Sequence, residues 1–385
     1  MSNITAGRIT DFLQSKQSEM IEMLKILVEK ESTTVDKKLN DELGAYIAEL
    51  FRQMTGGKTT TIQNDLYGNH IKGEFGSGTE QILILAHFDT VWQKGDILEK
   101  IPFKIVDDQA YGPGTFDMKG GLVQGLYALH ALKELNETLS KKVVFLFTSD
   151  EELGSPTSQH LIEEEAKKSV CVLVLEPAIS TEGALKTSRK GVGMFKLSIQ
   201  GRAAHAGVEP EKGLSAIHEL SKQVSYLYKL TDLKKGTTVN VGTVSGGTTI
   251  NVVAAEANAD IDLRVKTQAE FDRVIPIIKN LKPNIEGLQV EVSGGVNRPP
   301  LERTEEVVNL YNKAKKIAKE DLGFTLLEKE TGGGSDGNFT APFAPTLDGL
   351  GAVGDGAHAL HEHLFISEMP KRSALLALLL KELGS

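Results

Sequence analysis

The stretch Val143-Val144-Phe145-Leu146-Phe147-Thr148-Ser149-Asp150-Glu151-Glu152-Leu153-Gly154-Ser155 decides how the chain is read. An apolar run of β-branched residues and phenylalanines predicts a strand buried on both faces, the kind found inside α/β sheets. It ends in three consecutive acidic residues followed by Gly154. Adjacent carboxylates at the end of a buried strand repel one another and are costly to desolvate. A cation is therefore expected beside them, with Glu151 as general base and Glu152 as a metal ligand.

Working outward, other apolar runs end the same way. Gln81-Ile82-Leu83-Ile84-Leu85-Ala86 delivers His87-Phe88-Asp89-Thr90, and Val170-Cys171-Val172-Leu173-Val174-Leu175 delivers Glu176-Pro177. Extended alternation puts His87 and Asp89 on the same side of the backbone. Between them lies the turn-rich loop Tyr111-Gly112-Pro113-Gly114-Thr115-Phe116-Asp117-Met118-Lys119-Gly120-Gly121. Helical periodicity predicts two helices between Thr5 and Glu31, others at about 39–54, 122–135 and 157–166, and a closing helix over 369–383. Strands alternating with helices, and polar residues at the strand ends, define an α/β sheet with its site beyond the carboxyl ends of the strands.

The character changes near Ser188. Strands at about 192–200, 238–245, 256–265 and 289–293, with helices at about 213–229 and 270–281, give the order β-α-β-β-α-β of a ferredoxin-like unit. The expected organisation is a catalytic α/β/α domain over 1–187 and 298–385, interrupted by an inserted α+β domain over 188–297. A chain of 385 residues is long enough for two cores.

The net charge of −9 argues against non-specific nucleic-acid binding, which needs a basic face. No apolar run approaches the ~20 residues of a membrane span. The amphipathic N-terminal stretch has no signal-peptide core, so a cytoplasmic location is expected. Cys171 is the one cysteine and lies in an apolar run, where an inert core residue is expected.

Taken singly, a His-x-Asp or an Asp-Glu-Glu is more often solvated surface; their recurrence after buried strands is what points to a site. His87, Asp117, Glu152, Glu176 and His358 offer nitrogen and oxygen donors without sulfur, a set suited to Zn²⁺, Mn²⁺ or Co²⁺. Five ligands exceed the three of a single catalytic metal. One carboxylate bridging two ions about 3.5–4 Å apart uses all five, and Asp117 is the natural bridge. Asp89 then fits the role of holding the His87 ring by its other nitrogen.

In this order the segments His87–Val91, Gly112–Gly121, Thr148–Ser155 and Leu175–Pro177 resemble the signatures of a co-catalytic zinc metallopeptidase family. It includes glutamate carboxypeptidase, acetylornithine deacetylase, succinyl-diaminopimelate desuccinylase and peptidase T. The likeness continues through Gly201–Gly207, Asn251, Asp262-Leu263-Arg264, Gly332–Asn338 and His358, and is greatest to the glutamate carboxypeptidase branch. The resemblance implies two Zn²⁺, one held by His87, Asp117 and Glu176, the other by Asp117, Glu152 and His358. Among the three histidines of the last segment, the family pattern selects His358, a few residues before Glu362, over His361 and His363. It implies Glu151 as the base that activates a metal-bridging water. It implies His205 as an oxyanion donor from a partner subunit, with the inserted domain as lid and homodimer interface. Arg264 and Asn251 are implied as substrate-binding residues, with Gly334 and Ser335 lining the substrate pocket. The expected substrate is a small peptide or N-acyl amino acid cleaved beside a free carboxylate. A deacylase acting on N-acyl amino acids, a di- or tripeptidase and a catalytically silent homologue are the other readings.

Overall fold

The structure, a computed structural model, describes residues 3–384. The chain divides into two compact units. One comprises Met1–Thr187, Arg303–Thr331 and Ser335–Ser385; the other comprises Ser188–Glu302 with Gly332–Gly334.

The first unit is built on a six-stranded sheet. Its spatial order is Lys58–Ile62, His70–Phe75, Lys142–Thr148, Gln81–His87, Ser169–Val174, Thr346–Leu347. The last four strands are parallel, and the first two join antiparallel at one edge. Every residue of Gln81–His87 is buried, as a strand covered on both faces must be. On one face lie the helices Asn3–Ser15, Gln17–Glu29, Lys37–Thr55, Gly120–Glu134 and Glu368–Leu383, whose apolar residues join the strands in one core. Leu83, Leu85, Val144 and Leu146 pack on the other face with Ile162 and Ala166 of the helix Gln159–Ala166. The sheet stays predominantly parallel because helical crossovers separate its central strands.

Four short strands form a separate small sheet in the order Gly354–Asp355, His363–Phe365, Gln109–Tyr111, Lys104–Val106. Strands of two or three residues carry no periodicity, and the sequence gives no hint of them.

The second unit is a four-stranded antiparallel sheet in the order Thr238–Gly246, Glu256–Val265, Gly191–Gln200, Gln289–Arg298. Numbered along the chain this is 2-3-1-4, the arrangement expected of the β-α-β-β-α-β order. Phe195, Leu197 and Ile199 are buried while Met194 and Lys196 are exposed, so one face is covered. The helices Ala216–Tyr228 and Gln268–Lys279 cover it through Leu220, Leu227, Phe271, Val274 and Ile278. Among the described residues no helix is long and apolar enough to cross a membrane.

Candidate metal centre

The parallel register assembles the site. His87 lies level with Thr148 on one neighbour, and Leu85 level with Val174 on the other. Just beyond those levels, the chains deliver Glu176 on one side and, through a 3-10 turn at Glu151–Leu153, the acidic pair on the other. Gly154, at φ 89°, closes the turn with its N–H donating to the Glu151 carbonyl. Left-handed φ is where a residue without Cβ is favoured. The third contribution comes from the loop ahead of the helix Gly120–Glu134, where Asp117 has φ −116° and ψ 95°. The fourth is His358, at φ 62° in the loop between two short strands.

These residues form two donor groups, His87–Asp117–Glu176 and Asp117–Glu152–His358, with the donor atoms of each group within 4.8 Å of one another. Asp117 belongs to both. Its Oδ1 is 3.2 Å from His87 Nε2, and its Oδ2 is 3.5 Å from His358 Nε2. His87 Nε2 is also 3.6 Å from Glu176 Oε1, and His358 Nε2 is 3.2 Å from Glu152 Oε2. One carboxylate thus presents one oxygen to each group, the disposition of a bridging ligand.

Electrostatics agree with a site made for a cation. Burial opposes charge on the His87 ring, yet hydrogen bonds with Asp117 and Asp89 hold its pKa well above the ordinary histidine value. Hydrogen bonds to Asp117 and Glu152 push His358 up to about 11. Burial acts to raise the Asp117 carboxyl, but His358 and His87 hold it well below the usual range. Burial raises Glu152. Its Oε1 is buried with no hydrogen-bond partner among the described residues. An orphaned buried carboxylate oxygen is costly, and together with a donor set of imidazoles and carboxylates it fits Zn²⁺, Mn²⁺ or Co²⁺.

Around the donors lies a shell that orients them. Asp89 is fully buried. It faces His87 twice, through its carbonyl at 3.0 Å and its Oδ1 at 3.4 Å from Nδ1. The same carboxylate accepts the Glu151 and Glu152 N–H groups at 3.3 and 3.2 Å and the Thr34 hydroxyl at 2.8 Å. It therefore holds a ring of one donor group and the backbone of the turn carrying the other. Asp150, to which the sequence assigns no role, is also fully buried. It accepts the N–H and hydroxyl of Thr157 at 2.7 and 2.6 Å and those of Ser158 at 3.2 and 2.6 Å, fixing the far side of the turn. Sequence reasoning also missed Lys186, whose ammonium lies 3.7 Å from Glu176 Oε2. It used Glu362 only as a landmark. The Glu362 carboxyl is buried, and burial raises it, while the Asp117 and Gly114 N–H groups and the Trp92 indole act to keep it ionised. Nothing in local sequence marks these two as neighbours of the donors.

The remaining predicted residues lie as follows. His205 is exposed in the second unit, its Nδ1 accepting the Gly207 N–H at 3.1 Å. Asn251 is exposed and accepts the Thr249 hydroxyl at 2.9 Å. Arg264 Nε contacts both oxygens of Asp262 at 3.0 Å. Gly334 belongs to the second unit, and its carbonyl accepts Arg189 Nη1 at 3.0 Å. Ser335 belongs to the first unit, fully buried, with its hydroxyl donating to Asp348 at 2.7 Å. Its hydroxyl is thus engaged within the fold. His363 is buried against Tyr111, and its Nδ1 faces the His361 carbonyl at 2.8 Å. Neither His361 nor His363 enters a donor group among the described residues.

An α/β sheet with two His/Asp/Glu donor groups sharing one carboxylate beyond its strand ends has the layout of a two-metal protein. Residues 83–382 match Peptidase family M20/M25/M40, and the chain belongs to that family. It is 32% identical to carboxypeptidase G2 of Pseudomonas sp. (strain RS-16), covering 96% of this chain and 90% of that protein. It is 26% identical to acetylornithine deacetylase of Buchnera aphidicola subsp. Schizaphis graminum, covering 90% and 91%. Its fold is shared with the aminopeptidase PepT of Bacillus cereus ATCC 10987 at a TM-score of 0.78 and 24% identity, covering 96% and 99%. The protein is an M20-family hydrolase of the metallopeptidase type.

Proposed function

We propose that the protein is a carboxypeptidase-like amidohydrolase that cleaves an amide bond beside a free carboxylate, using two ions of the Zn²⁺ class. The observation that carries this reading is the Asp117 carboxylate, which offers one oxygen to each donor group. His87 and Glu176 complete one set and Glu152 and His358 the other. When bound, such ions polarise a carbonyl and lower the proton affinity of water.

The chain's own residues do the rest. Glu151 accepts the proton of the attacking water and returns it to the leaving amine. Its neighbour Glu152 is committed to the donor group, and Asp89 holds the backbone of both, so base and ligand keep a fixed spacing. On the second unit, His205 donates to the tetrahedral oxyanion, supplied by the partner copy of a homodimer. Arg264 forks to the substrate carboxylate. Asn251 binds the substrate, and Gly334 and Ser335 shape the loop beside it. The likeness to carboxypeptidase G2 over nearly the whole chain supports a terminal carboxylate as the recognised group.

The likeness to acetylornithine deacetylase favours a second reading, removal of an acyl group from an N-acyl amino acid. A panel of acyl-glutamates, dipeptides, and acetyl- and succinyl-amino acids separates them. Preference for a C-terminal glutamate-type residue supports the first; preference governed by the acyl group supports the second. Glu151→Gln is expected to keep its metal and lose at least about 10²-fold in turnover. An active Glu151→Gln variant refutes the base assignment.

A further inference from the structure

Glu362 is fully buried in the first unit, and both its oxygens are spent on the loop that carries Asp117. Oε1 accepts the backbone N–H groups of Phe116 and Asp117, each at 3.0 Å. Oε2 accepts the Gly114 N–H at 3.0 Å and the indole N–H of Trp92 at 2.7 Å. The Glu362 carbonyl faces the Gly112 N–H at 3.4 Å. A single carboxylate thus gathers three amides of a loop that has left regular helical geometry at Asp117. It stands four residues after His358, so the segment that carries one donor also clamps the loop that carries the shared one.

We propose that Glu362 is a positioning residue of the metal centre. Its carboxylate fixes the Asp117 loop, and through it the orientation in which Asp117 serves both donor groups. The proposal rests on the two-ion reading above. Residue chemistry explains why an acid is needed. Each oxygen meets two N–H donors, so both must be acceptors. A glutamine has the same size and shape, but one of its two ends is an NH₂. Whichever way the amide is turned, that NH₂ opposes two N–H groups: those of Phe116 and Asp117, or those of Gly114 and Trp92. Buried donors facing a donor push apart, and the displaced atoms include the Asp117 amide. Outer hydrogen-bond partners of this kind typically govern metal affinity by about 10–100-fold.

Metal-depleted full-length protein, titrated with Co²⁺, tests this. Affinity and stoichiometry come from calorimetry, and geometry from the visible absorption of the bound ion. For Glu362→Gln the expected result is a chain with the circular dichroism of the wild type, Co²⁺ affinity lowered about 10–100-fold, and a changed visible spectrum. A purely structural role would lower the melting temperature of the metal-free chain and leave the affinity and spectrum of the folded chain unchanged, and that result overturns the proposal. Trp92→Phe removes only the indole donor and leaves the carboxylate in place. It is expected to weaken Co²⁺ by a smaller factor with the same direction of spectral change. If Glu362→Gln does not fold, Trp92→Phe decides, and wild-type affinity and spectrum in that variant overturn the proposal. If the wild-type chain itself binds no Co²⁺, the two-ion reading fails and this proposal with it. A wild-type chain that binds beside an unaltered Glu362→Gln removes this proposal alone.

Discussion

Gly121→Ala is expected to disturb the metal centre without touching any donor. Gly121 stands at the start of the helix Gly120–Glu134. A Cβ there would lie 2.1 Å from the Leu175 carbonyl oxygen, immediately ahead of the donor Glu176, whereas contacts under 3.0 Å are essentially never adopted. The contact must therefore open by about 0.9 Å, the difference between 3.0 and 2.1 Å. Neither side can yield cheaply. The obstructing atom is backbone, and on its other side the same oxygen lies against Gly351, where a Cβ would meet it at 2.0 Å. The start of the helix is itself tied down, since the Gly120 N–H donates to the Thr115 carbonyl. Overpacking of this kind costs about 1–3 kcal/mol. A shift near 1 Å at a donor-bearing strand end costs on the order of 10²-fold in rate. Thermal unfolding, metal content after dialysis and kcat/KM on an acyl-glutamate, measured on one preparation, read all three effects. Gly7→Ala is the matched control: its site is open, with nothing within 4 Å of an added Cβ, so that helical substitution should be neutral or slightly stabilising. Wild-type melting temperature, metal content and kcat/KM in Gly121→Ala would refute the argument that the Leu175 carbonyl fixes Glu176.

Asp89→Asn leaves an amide where a carboxylate serves His87, Thr34 and the two turn amides. It is expected to lower kcat/KM about 10–100-fold with weaker metal retention; unchanged kinetics and metal content would contradict the orienting role. Ionised Glu165 is stabilised by Gln81, Lys72 and Lys168. Burial acts to raise its carboxyl, yet these partners bring it down to about 2. Because the folded pKa lies below the unfolded one, the stabilisation is present above pH about 4.5 and is lost as pH falls through about 2. It amounts to at most about 3 kcal/mol at neutral pH. Urea unfolding from pH 7 to 3 should show Glu165→Gln less stable at pH 7, with the gap to the wild type narrowing in acid; a gap independent of pH would contradict this. His205→Ala is expected to lower kcat on the order of 10²–10³-fold while metal content stays unchanged, and loss of metal would place His205 among the donors.

Much of this architecture is legible from local pattern. The runs ending at His87, Thr148 and Leu175 are apolar on both faces, and only central parallel strands bury residues that way. The ordered acids and histidines beyond them follow from the same pattern, because strand ends are where such a sheet presents side chains. What local pattern does not carry is contact between distant segments. Glu362 and Asp117 are separated by 245 residues and meet only in the folded chain. The two glycines that confine Leu175, Gly121 and Gly351, read in sequence as ordinary loop or helix-start residues. Ser335 stands in a glycine-rich segment that looks open, yet Asp348 and Asn338 bury its hydroxyl and amide. The fate of such residues is decided by tertiary packing, which periodicity does not encode.

The central claim is that Asp117 is shared by two ions. Metal stoichiometry answers it directly, by elemental analysis of wild-type and Asp117→Asn protein reconstituted with Zn²⁺ and freed of excess ion. Two Zn²⁺ are expected per wild-type chain and at most one in Asp117→Asn, because the amide has a single acceptor oxygen where the carboxylate had one for each group. A single ion in the wild type, or two ions retained in Asp117→Asn, would contradict it.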